Sequence, residues 1–73
     1  MEELRLACEK FINKEYTVED LSRVFSWIAV PEELQDIVSE AENKLEYVRF
    51  CVSDNEQYDE GLKIVKSILI KIN

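Results

Sequence analysis

The stretch Pro31–Val52, PEELQDIVSEAENKLEYVRFCV, decides how the rest of the chain is arranged. Leu34, Val38, Ala41, Leu45, Val48 and Val52 recur at spacings of four and three, which places all six on one stripe of an α-helix. Ile37 and Cys51 widen that stripe, while Tyr47 and Phe50 add a second apolar surface over the last two turns. A helix apolar on two sides near one end is expected to be wrapped by others. Pro31 suits the first position of this helix, followed by Glu32 and Glu33 in the turn where carboxylates meet the positive end of the helix dipole. The segment Tyr47-Val48-Arg49-Phe50-Cys51-Val52 also has the composition of a strand. The helical reading is preferred, because the four-three spacing runs through Val52 and no partner strand is evident.

Working back toward the N-terminus, Leu4, Ala7, Cys8, Phe11 and Ile12 share one face of a first amphipathic helix over residues 2–14. Asn13-Lys14-Glu15-Tyr16 interrupts the pattern. Thr17-Val18-Glu19-Asp20 then has the hydroxyl-x-x-acid form of a capping box, so a second helix is expected over 18–29 with Val18, Leu21, Val24, Phe25 and Ile28 inward. Trp27 lies off that face and is read as packing against a neighbouring helix, the alternative being an anchor for a partner. Beyond Val52 the polar run SDNEQYDE can cap a fourth helix through Ser53, Asp54 or Asn55. In that helix, over 55–72, Leu62, Val65, Leu69 and Ile72 repeat, flanked by Ile64 and Ile68. Lys63, Lys66 and Lys71 complement its C-terminal end.

The expected architecture is therefore all-α, a single domain over 1–73 built as a small antiparallel four-helix bundle with helices at 2–14, 18–29, 31–52 and 55–72. A chain of 73 residues buries only about 60% of its unfolded surface, so one core has to recruit nearly all large apolar side chains. One Gly and one Pro leave little for tight hairpins. Cys8 and Cys51 lie within apolar stripes and read as buried free thiols of a reducing cytosol, with a disulfide as the alternative. No signal peptide and no membrane span is read from the pattern, and a cytoplasmic location is expected.

Composition bounds function mainly by exclusion. With no histidine, Ser-His and Cys-His nucleophiles and imidazole-bound zinc are ruled out, and two cysteines cannot build a four-thiolate site. A single glycine cannot form a phosphate-cradling loop. Asp54–Gly61 has the look of an EF-hand loop, but its glycine falls out of place and the closing glutamate position is Val65. No catalytic residue, metal or cofactor is expected, and the chain is read as a non-enzyme.

Sixteen acids against nine bases give a net charge of −7, which disfavours nucleic acid as a direct ligand and favours a basic protein partner. Between Glu15 and Glu60 there are thirteen acids and three bases, and from Val24 to Asn43 five acids and no base. Glu32, Glu33, Asp36 and Glu40 form one acidic group on the third helix. Positive charge is displaced to the two ends of the chain, a pattern that steers cationic partners when it persists in space.

Two segments carry a family resemblance. Phe11-Ile12-Asn13-Lys14-Glu15-Tyr16-Thr17-Val18-Glu19-Asp20-Leu21 resembles the helix-loop-helix signature of the colicin D immunity-like proteins, and Gly61-Leu62-Lys63-Ile64-Val65-Lys66-Ser67-Ile68-Leu69 is similar to that family's C-terminal helix. The resemblance implies a four-helix inhibitor that occupies the basic RNA-binding cleft of a bacterial nuclease toxin, carboxylates standing in for phosphates. It carries the partner-binding role to Glu46, Asp54 and Glu56, with Asp59 and Glu60 close by, whereas Val48 and Cys51 stand where the family pattern would place acids. The other reading is a helical homodimer or adaptor whose interface is built on Trp27, Tyr47 and Phe50.

Overall fold

A computed structural model describes residues 2–72, which form four helices: α1 Glu2–Ile12, α2 Val18–Trp27, α3 Glu32–Cys51 and α4 Asp54–Ile72. No strand occurs among the described residues; 47–51 belongs to the helix that its spacing predicts, and Val52 is its extended C-cap. The all-α bundle is as expected, with boundaries that move by one to two residues.

Each moved boundary has a local cause. α1 ends at Ile12 because Lys14 turns into the left-handed region at φ 65°. The Glu15 amide donates to the Lys10 carbonyl at 2.8 Å and the Lys14 amide to Phe11 at 3.0 Å, the paired bonds of a Schellman stop. α2 leaves the helical path at Ile28 (φ −66°, ψ 138°), two residues before Val30, whose backbone Pro31 restricts to extended conformations. Pro31 itself is the N-cap of α3 and not its first helical residue; its ψ of 155° is extended and its carbonyl accepts from the Leu34 amide. α4 starts one residue early, at Asp54, with the Ser53 carbonyl accepting from the Glu56 and Gln57 amides. The predicted capping box forms in full: the Asp20 amide donates to Thr17 Oγ1 at 3.2 Å and the Thr17 amide to Asp20 Oδ2 at 3.1 Å.

The helices form a closed ring. α1 packs on α2 and α4, α3 packs on α2 and α4, and α2 meets α4 across the middle, while the backbones of α1 and α3 stay apart on the other diagonal. Neighbours run antiparallel: Glu19 at the start of α2 meets Arg49 at the end of α3, and Glu40 of α3 lies near Lys71 of α4. Leu4, Phe11, Leu21, Leu45, Val65 and Cys8 are the most completely buried side chains, and the α3 stripe Leu34, Val38, Ala41, Leu45 and Val48 is inside as expected. On α4 the inward face is Gly61, Val65, Ile68 and Ile72, so Ile68 takes the central place expected for Leu69. Val24 and Ile28 of α2 are only half-buried, and Ser22 is buried in their stead.

Two fixtures hold the α1–α4 and α3–α4 junctions. The Tyr58 hydroxyl donates to the Ile12 carbonyl at 2.7 Å, and its ring stacks on Phe11 with centroids 5.2 Å apart. Gln57 Nε2 donates to the Val52 carbonyl at 3.0 Å and, more weakly, to Arg49 at 3.4 Å, which satisfies carbonyls left open at the end of α3.

Candidate interaction surface

The ring arrangement leaves the outer face of α3 uncovered, and this overturns several expectations at once. Tyr47 and Phe50 are 64% and 76% exposed, not wrapped, because α2 and α4 flank α3 and no further helix lies over its outer face. Trp27 is 66% exposed and does not pack into the core; it is the last residue of α2, pointing away from the stripe of Val18, Leu21 and Phe25. Cys51 is exposed too, at the final residue of α3, where the chain turns into α4 before any neighbour can cover it. Cys8 is buried as expected, and burial, with the charge of Glu9 beside it, pushes its thiol up to about 11. The two thiols are free, so the disulfide alternative falls.

The carboxylates singled out from the sequence do not converge on one point. Asp54 and Asp59 face α1, lining an open groove of about 490 Å³ with Lys14 and Tyr58. Glu60 lies on the other flank of α4, paired with Lys63 at 3.0 Å in the α3–α4 seam beside Lys44 and Tyr47. Glu56 is exposed in the first turn of α4. Glu46 is exposed on α3, and among the described residues no base lies within ion-pair distance of it.

Of the second acidic group, Glu32, Glu33 and Asp36 are exposed with no such base near them. Glu40 bonds Lys44 at 3.0 Å. The hydrogen bond and charge of Lys44, with Lys71 behind it, hold the Glu40 carboxyl below its usual range. The basic C-terminal segment thus folds back along the acidic third helix. Charges segregated along the chain are partly mixed in space.

What remains continuous is the outer face of α3. Asp36, Glu46, Tyr47 and Phe50 are all exposed on it, and it runs into the turn carrying Asp54 and Glu56. Three bases border this strip: Lys44 and Lys63 lie beside Tyr47, paired with Glu40 and Glu60, and Arg49 is drawn between Glu19 at 3.8 Å and the Phe50 ring at 5.2 Å. The exposure of Tyr47 and Phe50 is the feature sequence reasoning misjudged. The available signal was their position: Tyr47 stands two residues after the inward Leu45 and Phe50 two after the inward Val48, which on a helix turns each to the side away from the stripe.

Among the described residues no group of three His, Cys, Asp or Glu is placed to hold a metal ion, and no helix is long and apolar enough to cross a membrane. No family model, curated protein or solved structure matches the chain.

Proposed function

We propose that the chain is a non-enzymatic binding module for a basic protein partner, gripping it through the outer face of α3. The observation that carries this reading is the pair of large aromatics, Tyr47 and Phe50, held out of the core on a helix whose flanking Asp36 and Glu46 have no paired base. Aromatic anchors within an acidic rim supply the two needs of such an interface. The rings contribute burial on contact, and the rim steers a cationic surface and sets the salt dependence.

In its most concrete form, which the resemblance to the colicin D immunity-like proteins suggests, the partner is the basic domain of a nuclease toxin. Glu46, Asp54 and Glu56 then sit where phosphates would bind, with Asp59 and Glu60 at the margins. The test is capture of such a domain at low salt, followed by Tyr47→Ala with Phe50→Ala. Binding weakened tenfold or more by the pair, and further by charge reversal at Glu46 and Glu56, is the expected result. A module that retains nothing basic, or whose binding ignores these four positions, has another role.

The same exposed rings favour a second reading, self-association through α3. Sedimentation separates the two: a dimer that survives high salt and is lost in Phe50→Ser replaces the basic-partner reading.

A further inference from the structure

A second apolar surface lies outside that face. α1 and α2 leave between them a groove of about 130 Å³ lined by Leu6, Ala7, Tyr16, Val24, Trp27 and Ile28, with Glu3 the one charged residue lining it among the described residues. Leu6 is 53% and Trp27 66% exposed, so two of the largest apolar side chains outside the core border one depression. Because α2 lies between α1 and α3, this groove and the outer face of α3 are separate surfaces.

From these features we infer that the α1–α2 groove is a docking site for an amphipathic helix of a partner, apolar on the docked face and basic beside it. Large side chains left in water on either wall of a groove between helices are the arrangement that receives an apolar anchor from a third helix. The charge at the rim selects the flank. Glu3 lies in the groove, Glu2 precedes it on α1, and α3 opens with Glu32 and Glu33 at the end of the bundle where α2 finishes. At the opposite end Lys10 sits 5.4 Å above the Tyr16 ring, so the base of the docked helix meets Glu3 and not the Tyr16 end. A helix with acids in that place would face only like charge.

Trp27 is the only tryptophan and lines the groove, so its fluorescence reads occupancy directly. The probe is a synthetic helical peptide with leucines on one face and lysines beside them, titrated at low salt against the full chain. A peptide with glutamates for the lysines serves as comparison.

Docking gives a saturable blue shift of Trp27 emission with the lysine peptide and at least tenfold weaker binding of the glutamate peptide. Leu6→Ala and Glu3→Lys each weaken the lysine peptide several-fold, and both positions are exposed enough for the fold to tolerate them. The inference is overturned if Trp27 emission does not move, if both peptides bind alike, or if Leu6→Ala changes nothing. A blue shift that grows with protein concentration in the absence of peptide assigns the groove to a second copy and overturns it as well. The probe carries no aromatic partner for Tyr47 or Phe50, so its failure leaves the α3 reading to stand or fall on its own variants.

Discussion

Replacing Gly61 by alanine tests how closely Phe11 and Val18 pack against α4. In an isolated helix the change would help, since alanine is better than glycine by about 0.8–1 kcal/mol at an interior position. Here a Cβ at residue 61 would stand 2.6 Å from Cζ of Phe11, 3.2 Å from its Cε2 and 3.1 Å from Cγ2 of Val18. Carbon pairs are comfortable at roughly 3.5–4.0 Å, so the ring would have to retreat by about 1 Å. Phe11 is 1% exposed and stacked on Tyr58, whose hydroxyl is itself bonded to Ile12, and this leaves the ring little room.

Overpacking of this kind costs about 1–3 kcal/mol, which set against the helix gain leaves a net loss of up to about 2 kcal/mol. For a domain of this size that lowers Tm by up to roughly 16 °C, measured by far-ultraviolet circular dichroism. The cause is checked by repeating the substitution in Phe11→Leu, which removes both offending ring atoms. There Gly61→Ala should be neutral or stabilising, with a coupling of at least about 1 kcal/mol between the sites. A Gly61→Ala chain that melts higher than the parent refutes the reasoning.

Tyr58→Phe removes only the bond to the Ile12 carbonyl and keeps the ring, so urea unfolding should show a loss of about 0.5–1.5 kcal/mol; no change would mean water replaces that bond freely. Thr17→Ala should cost about 1 kcal/mol through the lost capping box, whereas Ser at the same place should cost little. In a thiol-reagent assay on the native protein Cys51 should react at once and Cys8 only as the chain unfolds; two equal fast phases would contradict the burial of Cys8. Because the Cys8 pKa is raised from 9.0 to about 11, the unfolded chain releases this proton first. Stability from this group is intact below pH 9 and lost as pH rises toward 11, a decline that Cys8→Ala should lack.

The parts of the fold legible in the sequence are those set by residues close together in the chain. The Thr17–Asp20 box, the inward stripe of α3 and the four-helix count each depend on spacing within one element, and each is present. What depended on neighbours was not legible. Whether Trp27, Tyr47 and Phe50 are covered turns on how many helices surround each one, and periodicity alone does not say that α1 stays clear of α3. The place of Gly61 was invisible for the same reason: only the approach of Phe11 and Val18 from two other helices requires a residue without a side chain there. Lys14 gave no sign either, since a left-handed stop is usually marked by glycine. The candidate acids were brought together by the family resemblance and by nearness in sequence; all but the half-buried Glu60 are exposed, and α4 points Asp59 and Glu60 to opposite flanks.

That divergence bears on how any partner is recognised. A plug that mimics RNA needs several carboxylates on one side with no cation among them. The antiparallel return of α4 instead sets Lys44, Lys63 and Lys71 along the seam beside Glu40 and Glu60. Exposed pairs of this kind contribute little to stability, about 0–1 kcal/mol each, yet each neutralises a charge that would otherwise project toward a partner. The acids left to project are Glu32, Glu33 and Asp36 at one end and Glu46, Asp54 and Glu56 toward the other, with Tyr47 and Phe50 nearer the second group. Charge can therefore bring a basic surface to α3 without fixing where it lands. The register of the complex falls to the two rings, which is why their removal, rather than neutralisation of any single carboxylate, is the substitution that should weaken binding most.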